Sequence, residues 1–308
     1  MVDNQIEATT QQLAAIVGAD GVYPREPLSR HTTFKVGGPV DWLVEPKSVE
    51  QIAQIIDYCR SNSIPWRVIG AGSNILVHDE GLPGLVIKLG ERFSGITVEG
   101  DRIIAEAGAT NRAIAESARD AGLSGYEFAS GIPGTVGGAA YMNAGAYDGE
   151  FKDVAESVSC LNSAGQLVEL SADEAHWSYR HSRMMDEGLI VLAVTLKLHR
   201  GNVDEITHSM NDLQERRESK QPLEMPSAGS TFKRPEGYYA GQLIDEAGLR
   251  GHRLGGAQVS PKHCGFIVNA DNATAQDIYD LIFHVQDSVQ QNADVTLLPE
   301  VRLWGFDK

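Results

Sequence analysis

Cysteine, long apolar runs and positive charge are all scarce in this chain of 308 residues, and each shortage excludes a class of protein. The three cysteines, at positions 59, 160 and 264, are too far apart for a disulfide framework or a zinc-type spacing. No apolar run approaches the roughly 18 residues of a membrane span. The net charge of −16 argues against a protein that coats nucleic acid or an anionic membrane, because either would need a basic face.

The same shortages bear on location and on metal chemistry. The first seven residues contain no basic region followed by an apolar run, so we predict no signal peptide and expect a cytoplasmic protein with reduced, buried cysteines. No two of the nine histidines pair with cysteine or glutamate at a metal-ligand spacing, so we predict no metal site. Nothing in the pattern indicates an obligate protein partner.

Hydrophobic periodicity predicts that helices alternate with strands and hairpins. Val49–Arg60 carries one apolar face behind a capping box from Ser48 to Gln51, and a long helix is expected after Thr274. A polar helix and a loop are expected over residues 1–25. The other predicted elements are helices Asn111–Ala121, Asp204–Lys220 and Gly241–Ala247, hairpins 96–105 and 158–170, and strands Trp66–Ile69, Ile75–Val77, Leu85–Leu89, Leu189–Leu198, Ala257–Val259, Gly265–Asn269 and Glu300–Leu303. This order predicts an α+β fold with a boundary near residues 200–205.

Glycine is abundant, with 32 residues, and two clusters of it stand out. One is Gly70–Asn74, and the other runs from Gly131 to Gly138 and continues to Ala146. Glycine lets the backbone approach a ligand closely, and successive N–H groups can cradle phosphate oxygens. Ordinary tight turns are the alternative, and this alternative is stronger for the first cluster than for the second.

Neither cluster matches the common nucleotide-binding motifs. A dinucleotide fingerprint needs a third glycine that opens a helix, but Ile75 stands at that position and the residues after it predict a strand. A P-loop needs Gly-Lys followed by Ser or Thr after a first glycine and four residues, and no such string occurs. Spacing alone therefore leaves the ligand open.

Six segments, in order along the chain, resemble the UDP-N-acetylenolpyruvoylglucosamine reductase family of peptidoglycan precursor synthesis. The chain is compact between Tyr179 and Ser230, which is similar to the shorter, type II branch that lacks a tyrosine-bearing loop over the substrate. The resemblance covers roughly residues 25–305 and rests on His31–Gly38, Val68–Val77, Gly131–Ala139, Tyr179–Arg183, Ala228–Phe232 and Pro299–Arg302.

The resemblance implies an FAD-binding fold of the vanillyl-alcohol-oxidase/p-cresol-methylhydroxylase type, built from two α+β subdomains, with a C-terminal α+β substrate domain. The FAD-binding region is expected over residues 1–200, with a core of about 30–200 that divides near residue 90. The substrate domain is expected over 205–298, and residues 299–308 are expected to return to the active site as a strand.

The resemblance also implies the reaction. NADPH reduces FAD, and hydride then passes from reduced FAD to C3 of the enolpyruvyl group of UDP-N-acetylglucosamine enolpyruvate, while a proton reaches C2. The product is UDP-N-acetylmuramate. The two glycine clusters contain neither histidine nor cysteine, which favours a non-covalent flavin.

Individual roles follow from the same resemblance. Arg180 matches the arginine that polarises the substrate carboxylate, Ser230 the proton donor to C2, and Glu300 a glutamate near that carboxylate. Cofactor contacts are expected at Gly70, Ala71, Gly72, Ser73, Asn74, Leu76, Gly131, Ile132, Pro133, Gly134, Thr135, Gly137, Gly138, Asn143, Gly145 and Ala146. Substrate contacts are expected at Tyr179, Gly229, Lys233, Arg234, Tyr239, Gln242 and Arg302.

Two alternatives remain open. One is another FAD enzyme of the same fold, such as an oxidase or dehydrogenase of a sugar or hydroxy acid. The other is a non-enzymatic flavin- or nucleotide-sensing protein, which predicts no grouping of Ser230 with Glu300. His263 is ambiguous, because a lone histidine is more often structural than functional.

Overall fold

The computed structural model describes residues 2–306 and divides into two compact units. The first unit comprises residues 1–24, 41–71 and 84–216, and the second comprises 25–40, 72–83 and 217–308. Two short N-terminal stretches therefore belong to the same unit as the C-terminal third of the chain. The sequence-predicted boundaries near 90, 205 and 298 stay predictions.

The helices largely follow the predicted pattern. They are α1 (Val2–Val17), α2 (Val49–Ser61), α3 (Asn111–Asp120), α4 (Val136–Met142), α5 (Arg183–Asp186), α6 (Val203–Lys220), α7 (Ala240–Glu246) and α8 (Ala275–Ala293). In α2, Ser48 accepts a hydrogen bond from Gln51 N–H, and in α8 Thr274 and Asp277 form a reciprocal capping box. Across residues 2–306, none of the helices combines the length and apolar character needed to cross a bilayer.

The strands are mostly short. In the N-terminal half they are β1 (Val22–Pro27), β2 (Pro39–Val44), β3 (Trp66–Ile69), β4 (Ile75–Val77), β5 (Leu82–Lys88), β6 (Ile96–Glu99), β7 (Arg102–Glu106), β8 (Leu123–Ser124), β9 (Gly145–Ala146) and β10 (Gly149–Glu150). The remainder are β11 (Ala155–Leu161), β12 (Leu167–Ser171), β13 (Ile190–Lys197), β14 (His199–Arg200), β15 (Arg253–Leu254), β16 (Ala257–Val259), β17 (Ile267–Asn269) and β18 (Arg302–Trp304).

A five-stranded antiparallel sheet of order β12-β11-β13-β7-β6 forms the centre of the first unit. Both predicted hairpins are confirmed: Glu99 pairs with Arg102, and Leu161 pairs with Leu167. Helices α3 and α4 pack on this sheet, and the apolar residues between them are almost fully buried. The sheet therefore supports the polypeptide that follows α4, which carries part of the second glycine cluster.

A four-stranded sheet of order β1-β2-β5-β3 corrects the prediction for the N-terminus. The loop predicted to end at residue 25 is wrong, because Val22–Pro27 form the edge strand β1; β2 is a strand that the sequence did not predict. Pro24 and Pro27 disfavour a strand because proline donates no ladder hydrogen bond, but an edge strand tolerates it. Only pairing with β2, which local sequence does not reveal, makes this segment a strand.

The second unit packs α8 against the three-stranded antiparallel sheet β15-β16-β17. The apolar face predicted for α8 is buried, with Ile278, Leu281, Ile282, Val285 and Val289 all 0% exposed. The closing strand begins two residues later than predicted, at Arg302, and pairs in parallel with β4. The chain's C-terminal end is thus joined to the segment that directly follows the first glycine cluster.

Candidate functional site

The first glycine cluster, Gly70–Asn74, links β3 to β4, and we call it the glycine loop. A Cβ on Gly70 would lie 2.4 Å from Thr135 Oγ1, and a Cβ on Gly72 would lie 2.1 Å from the carbonyl oxygen of His31. Gly72 also has a φ of +62°, which L side chains rarely adopt. Close approach of the chain to itself therefore requires these glycines, whatever else the loop binds.

The second cluster differs from the loop that the sequence suggested, because its later part is helical. Helix α4 begins at Val136, so Gly137 and Gly138 lie within it. A Cβ on Gly137 would lie 2.7 Å from Ala107 Cβ, which explains why glycine is kept despite its low helix propensity. Around an added Cβ on Gly138, by contrast, nothing approaches nearer than 3.9 Å. Gly138 therefore presents open backbone on the outer face of the helix.

Arg180 is held against the polypeptide that follows α4. Its Nη1 donates to the carbonyl oxygen of Asn143 at 3.5 Å and its Nη2 donates to that of Gly145 at 3.3 Å. Its guanidinium carbon lies 5.0 Å from the ring centroid of Tyr179. Arg180 has a φ of +54°, a strained value for a residue with a side chain, and such strain is typical of functional positions. The structure thus groups Arg180, Tyr179, Asn143 and Gly145.

Asn143 organises this group from inside. It is fully buried, takes a left-handed φ of +44° at the end of α4, and its Nδ2 donates to the carbonyl oxygen of Ser178 at 2.9 Å and to Glu150 at 3.2 Å. The Lys152 ammonium bonded to Glu150 lowers the pKa of that carboxyl, and Asn143 and Arg180 contribute in the same direction. The side chain of Asn143 is therefore committed to internal bonds.

In the second unit, residues 229–233 form an extended stretch that we call the serine segment. Thr231 is fully buried; its N–H donates to the carbonyl oxygen of Gly265 at 2.8 Å, and its carbonyl accepts the N–H of Glu300 at 2.8 Å. Phe232 pairs with Pro299 in an antiparallel bridge. Ser230 is exposed and adjoins Thr231. The structure therefore places the segment of Ser230 beside the segment of Glu300. A non-enzymatic flavin sensor would not need this arrangement.

The end of the glycine loop contacts the same place. Asn74 Nδ2 donates to the carbonyl oxygen of Glu300 at 3.1 Å, and the carbonyl of Asn74 accepts the N–H of Arg302 at 3.0 Å. The sequence assigned Asn74 to the cofactor, but gave no sign of this contact between residues 226 positions apart. Leu76, another expected cofactor contact, is 0% exposed in β4 and pairs with Leu303.

Four further expected substrate residues lie in the second unit, and two of them, Arg234 and Tyr239, contact each other. Arg234 places its guanidinium carbon 4.0 Å from the ring centroid of Tyr239, whose side chain is 60% exposed. Gln242 donates to Glu246 at 2.8 Å. Lys233 donates its main-chain N–H to the carbonyl of Leu298 at 2.8 Å. A cation stacked on an exposed ring is a surface that can contact an anionic nucleotide.

His263 has a structural position behind the serine segment. Its Nδ1 accepts the N–H of Gly265 at 3.1 Å, and the carbonyl of Gly265 in turn accepts the N–H of Thr231. Burial lowers the pKa of His263, so the ring is neutral in the folded state at neutral pH. The His263 imidazole therefore stabilises the serine segment indirectly, through the main chain of Gly265.

Two family models match the chain, one over the glycine clusters and one over the serine segment and Glu300. A model described as "FAD binding domain" matches residues 39–171, and one described as "UDP-N-acetylenolpyruvoylglucosamine reductase, C-terminal domain" matches residues 221–304. They define the class: an FAD-dependent oxidoreductase with an FAD-binding domain followed by a C-terminal α+β domain, as expected from the sequence.

The particular family follows from full-length relatives. Reductases of that name from Clostridium beijerinckii and Clostridium botulinum strain Hall are 50% and 49% identical over 280 and 302 residues, which span 91% and 98% of this chain and 92% and 98% of theirs. The crystal structure of UDP-N-acetylenolpyruvylglucosamine reductase from Thermus caldophilus superposes with a TM-score of 0.79 at 38% identity, covering 91% of this chain and 97% of that one. This chain belongs to the UDP-N-acetylenolpyruvoylglucosamine reductase family.

The glycine loop carries main-chain N–H groups that no other part of the described chain uses. Among the described residues, no acceptor of the chain pairs with the main-chain N–H of Gly70, Ala71 or Gly72. Such a row of amides can bind phosphate oxygens. The ring Nδ1 of His31, whose main-chain carbonyl faces Gly72, is buried and also has no hydrogen-bond partner. A buried polar atom without a partner fits a site completed by another molecule.

Proposed function

We propose that this chain catalyses the NADPH-dependent reduction of UDP-N-acetylglucosamine enolpyruvate to UDP-N-acetylmuramate. The supporting observation is that Thr231, the neighbour of Ser230, bonds to Glu300 within a region that matches the family's C-terminal model. The names of the relatives support the substrate class. The proposal places the chain in peptidoglycan precursor synthesis in the cytoplasm, and so in cell-wall formation, cell shape and division.

FAD, held without a covalent bond, would supply hydride to C3 of the enolpyruvyl group after taking it from NADPH. The amides of Gly70, Ala71 and Gly72 would bind its diphosphate, with Gly138 and the other expected cofactor residues around it. Asn74 would face the flavin with its main chain only, because its side-chain amide bonds to Glu300. Thr135 supports the loop by packing against Gly70. These residues would bind and orient FAD, and none of them would need to gain or lose a proton.

Arg180 would bind the substrate carboxylate. A guanidinium presents parallel N–H donors to both carboxylate oxygens and stays charged at every physiological pH. Its hold on the carbonyls of Asn143 and Gly145 fixes its direction before substrate arrives. Negative charge that develops on the carboxylate during hydride addition is therefore stabilised by a pre-oriented cation.

Ser230 would donate its hydroxyl proton to C2. Serine is a weak acid, but the carbanion-like carbon is a strong base, so a short transfer is feasible. Ser230 is exposed, which leaves its hydroxyl open to substrate, while buried Thr231 fixes its main chain. Glu300 would lie near the substrate carboxylate, where its own protonation or a shared water or arginine would offset the repulsion between the two groups. The substrate carboxylate and the nucleotide diphosphate would be oriented by Tyr179, Gly229, Lys233, Arg234, Tyr239, Gln242 and Arg302.

An anaerobic stopped-flow experiment on the purified chain tests this function. Addition of NADPH should bleach the flavin absorbance, and addition of the enolpyruvyl nucleotide should restore it. NADH run in parallel measures the nicotinamide preference. If the bleached flavin is not reoxidised by the enolpyruvyl nucleotide, the proposed function is wrong, even if NADPH bleaches it.

A further inference from the structure

The side chain of Asn74 is used differently from what its place in a cofactor loop suggests. Its Nδ2 donates to the carbonyl oxygen of Glu300 at 3.1 Å, so at least one of its donors points toward the C-terminal stretch. The main chain of Asn74 reinforces this contact, because its carbonyl accepts the N–H of Arg302. Two hydrogen bonds from one residue thus straddle Val301, which is 3% exposed.

Glu300 is held on its other side by the serine segment. Its N–H donates to the carbonyl of Thr231 at 2.8 Å. Both main-chain groups of Glu300 are therefore engaged, one with the neighbour of Ser230 and one with the last residue of the glycine loop. Because these bonds fix the main chain on both sides of Glu300, and the adjoining Val301 and Thr231 are buried, the direction of the Glu300 side chain depends on both of them.

We propose that Asn74 is a positioning residue for Glu300, which couples the glycine loop to the carboxylate in the active site. Asparagine suits this role because it combines a short side chain with an amide donor, whereas aspartate of the same size would place a bare acceptor against a carbonyl oxygen. The catalytic consequence rests on the proposed function, but the contact itself does not. The alternative is that Asn74 is primarily a ligand of the flavin.

Asn74→Ala separates these two roles. We expect the dissociation constant for FAD, measured by flavin fluorescence on reconstitution of the apoprotein, to change less than about threefold. NADPH should bleach the flavin at the wild-type rate. Reoxidation by the enolpyruvyl nucleotide should slow about 10- to 100-fold in its limiting rate, since small misplacements of reacting groups cost that much. A rise of tenfold or more in the FAD dissociation constant would instead make Asn74 a flavin ligand and overturn the proposal.

Asn269→Ala is the matched control. Asn269 Nδ2 also donates to a distant main-chain carbonyl in the same unit, that of Phe34, at the same 3.1 Å. Asn269→Ala removes this equivalent hydrogen bond, and also the acceptor of the Ala273 N–H, without touching Glu300. Reoxidation should therefore stay within about twofold of wild type. Equal slowing in both variants would show a general loss of stability and contradict a positioning role.

Two further measurements keep the proposal testable if Asn74→Ala folds poorly or the substrate proves different. Asn74→Asp preserves the volume of the side chain, and hydrogen–deuterium exchange of peptide 299–304 in the holoprotein should be faster in this variant than in wild type. Asn74→Ala added to Glu300→Gln should slow reoxidation by less than threefold more, because coupled residues are non-additive. Unchanged exchange in this peptide would overturn the proposal whatever the substrate.

Discussion

Gly72 in the glycine loop and Gly229 in the serine segment share a backbone conformation but differ in the space around them. Their φ values are +62° and +75°. A Cβ on Gly72 would lie 2.1 Å from the carbonyl oxygen of His31 and 2.9 Å from Thr32 Cα, whereas a Cβ on Gly229 would meet nothing within 4 Å. Conformation requires both glycines, but close packing requires only the first.

This difference shows that a glycine-rich sequence does not by itself indicate a ligand-binding site. In the glycine loop the main chain packs closely against other parts of the chain. The N–H groups that are left without an acceptor there are a consequence of that packing. In the serine segment glycine leaves open space beside an exposed serine. Close packing fixes the conformation of the glycine loop, whereas the serine segment leaves open space beside Ser230.

Gly72→Ala should have the larger effect on stability. The left-handed conformation costs about 1–2 kcal/mol for a residue with a side chain, and overpacking adds about 1–3 kcal/mol. We therefore expect the free energy of unfolding to fall by about 2–5 kcal/mol, measured by urea denaturation of the apoprotein. A loss below about 1 kcal/mol would show that the loop relaxes and that the close approach is not required.

Gly229→Ala should lower the free energy of unfolding by only about 1–2 kcal/mol, because the added methyl group pays the conformational cost alone. The same urea titration measures it. Gly188→Ala is the control, since Gly188 has a φ of +62° and equally open surroundings, far from the serine segment in sequence. If Gly229→Ala costs as much as Gly72→Ala, the contrast between the two regions fails.

A smaller effect should appear in the pH dependence of stability. Burial lowers the pKa of His263 in the folded state, whereas the unfolded chain takes up a proton near the ordinary value of about 6.5. The unfolded state then binds more protons below that pH, so the contribution of His263 is complete above about pH 6.5 and declines as the pH falls.

The melting temperature should accordingly fall less between pH 7 and pH 5.5 in His263→Gln than in wild type. If the curves of His263→Gln and wild type are parallel over this range, His263 does not link protonation to the folding of this unit.

Local sequence signals predicted the elements that are stabilised locally. Helices α2 and α8 follow from their caps and apolar faces, and the hairpins from their short turns. Strand β1 was missed because Pro24 and Pro27 disfavour it locally. Helix α4 was missed because Gly137 and Gly138 lower the helix propensity of this segment. Packing of α4 on the sheet and on Ala107 offsets this low propensity.

The candidate site shows the same limit. The resemblance identified Ser230 and Glu300, and the structure pairs their segments. The contact of Asn74 with Glu300 joins residues 226 positions apart, and the orphaned Nδ1 of His31 depends on three-dimensional burial. Neither feature has a local signature, since each arises only when distant segments pack.

The central claim is that the glycine loop binds the flavin and the serine segment supplies the proton to the substrate. Ser230→Ala tests it most directly, with Ser163→Ala in an exposed turn as the control. In anaerobic stopped-flow, NADPH should bleach the flavin of Ser230→Ala as fast as that of wild type, while reoxidation by the enolpyruvyl nucleotide should slow about 100- to 10,000-fold, the usual contribution of a positioned acid. Equal slowing of both half-reactions, or wild-type reoxidation, would contradict the account.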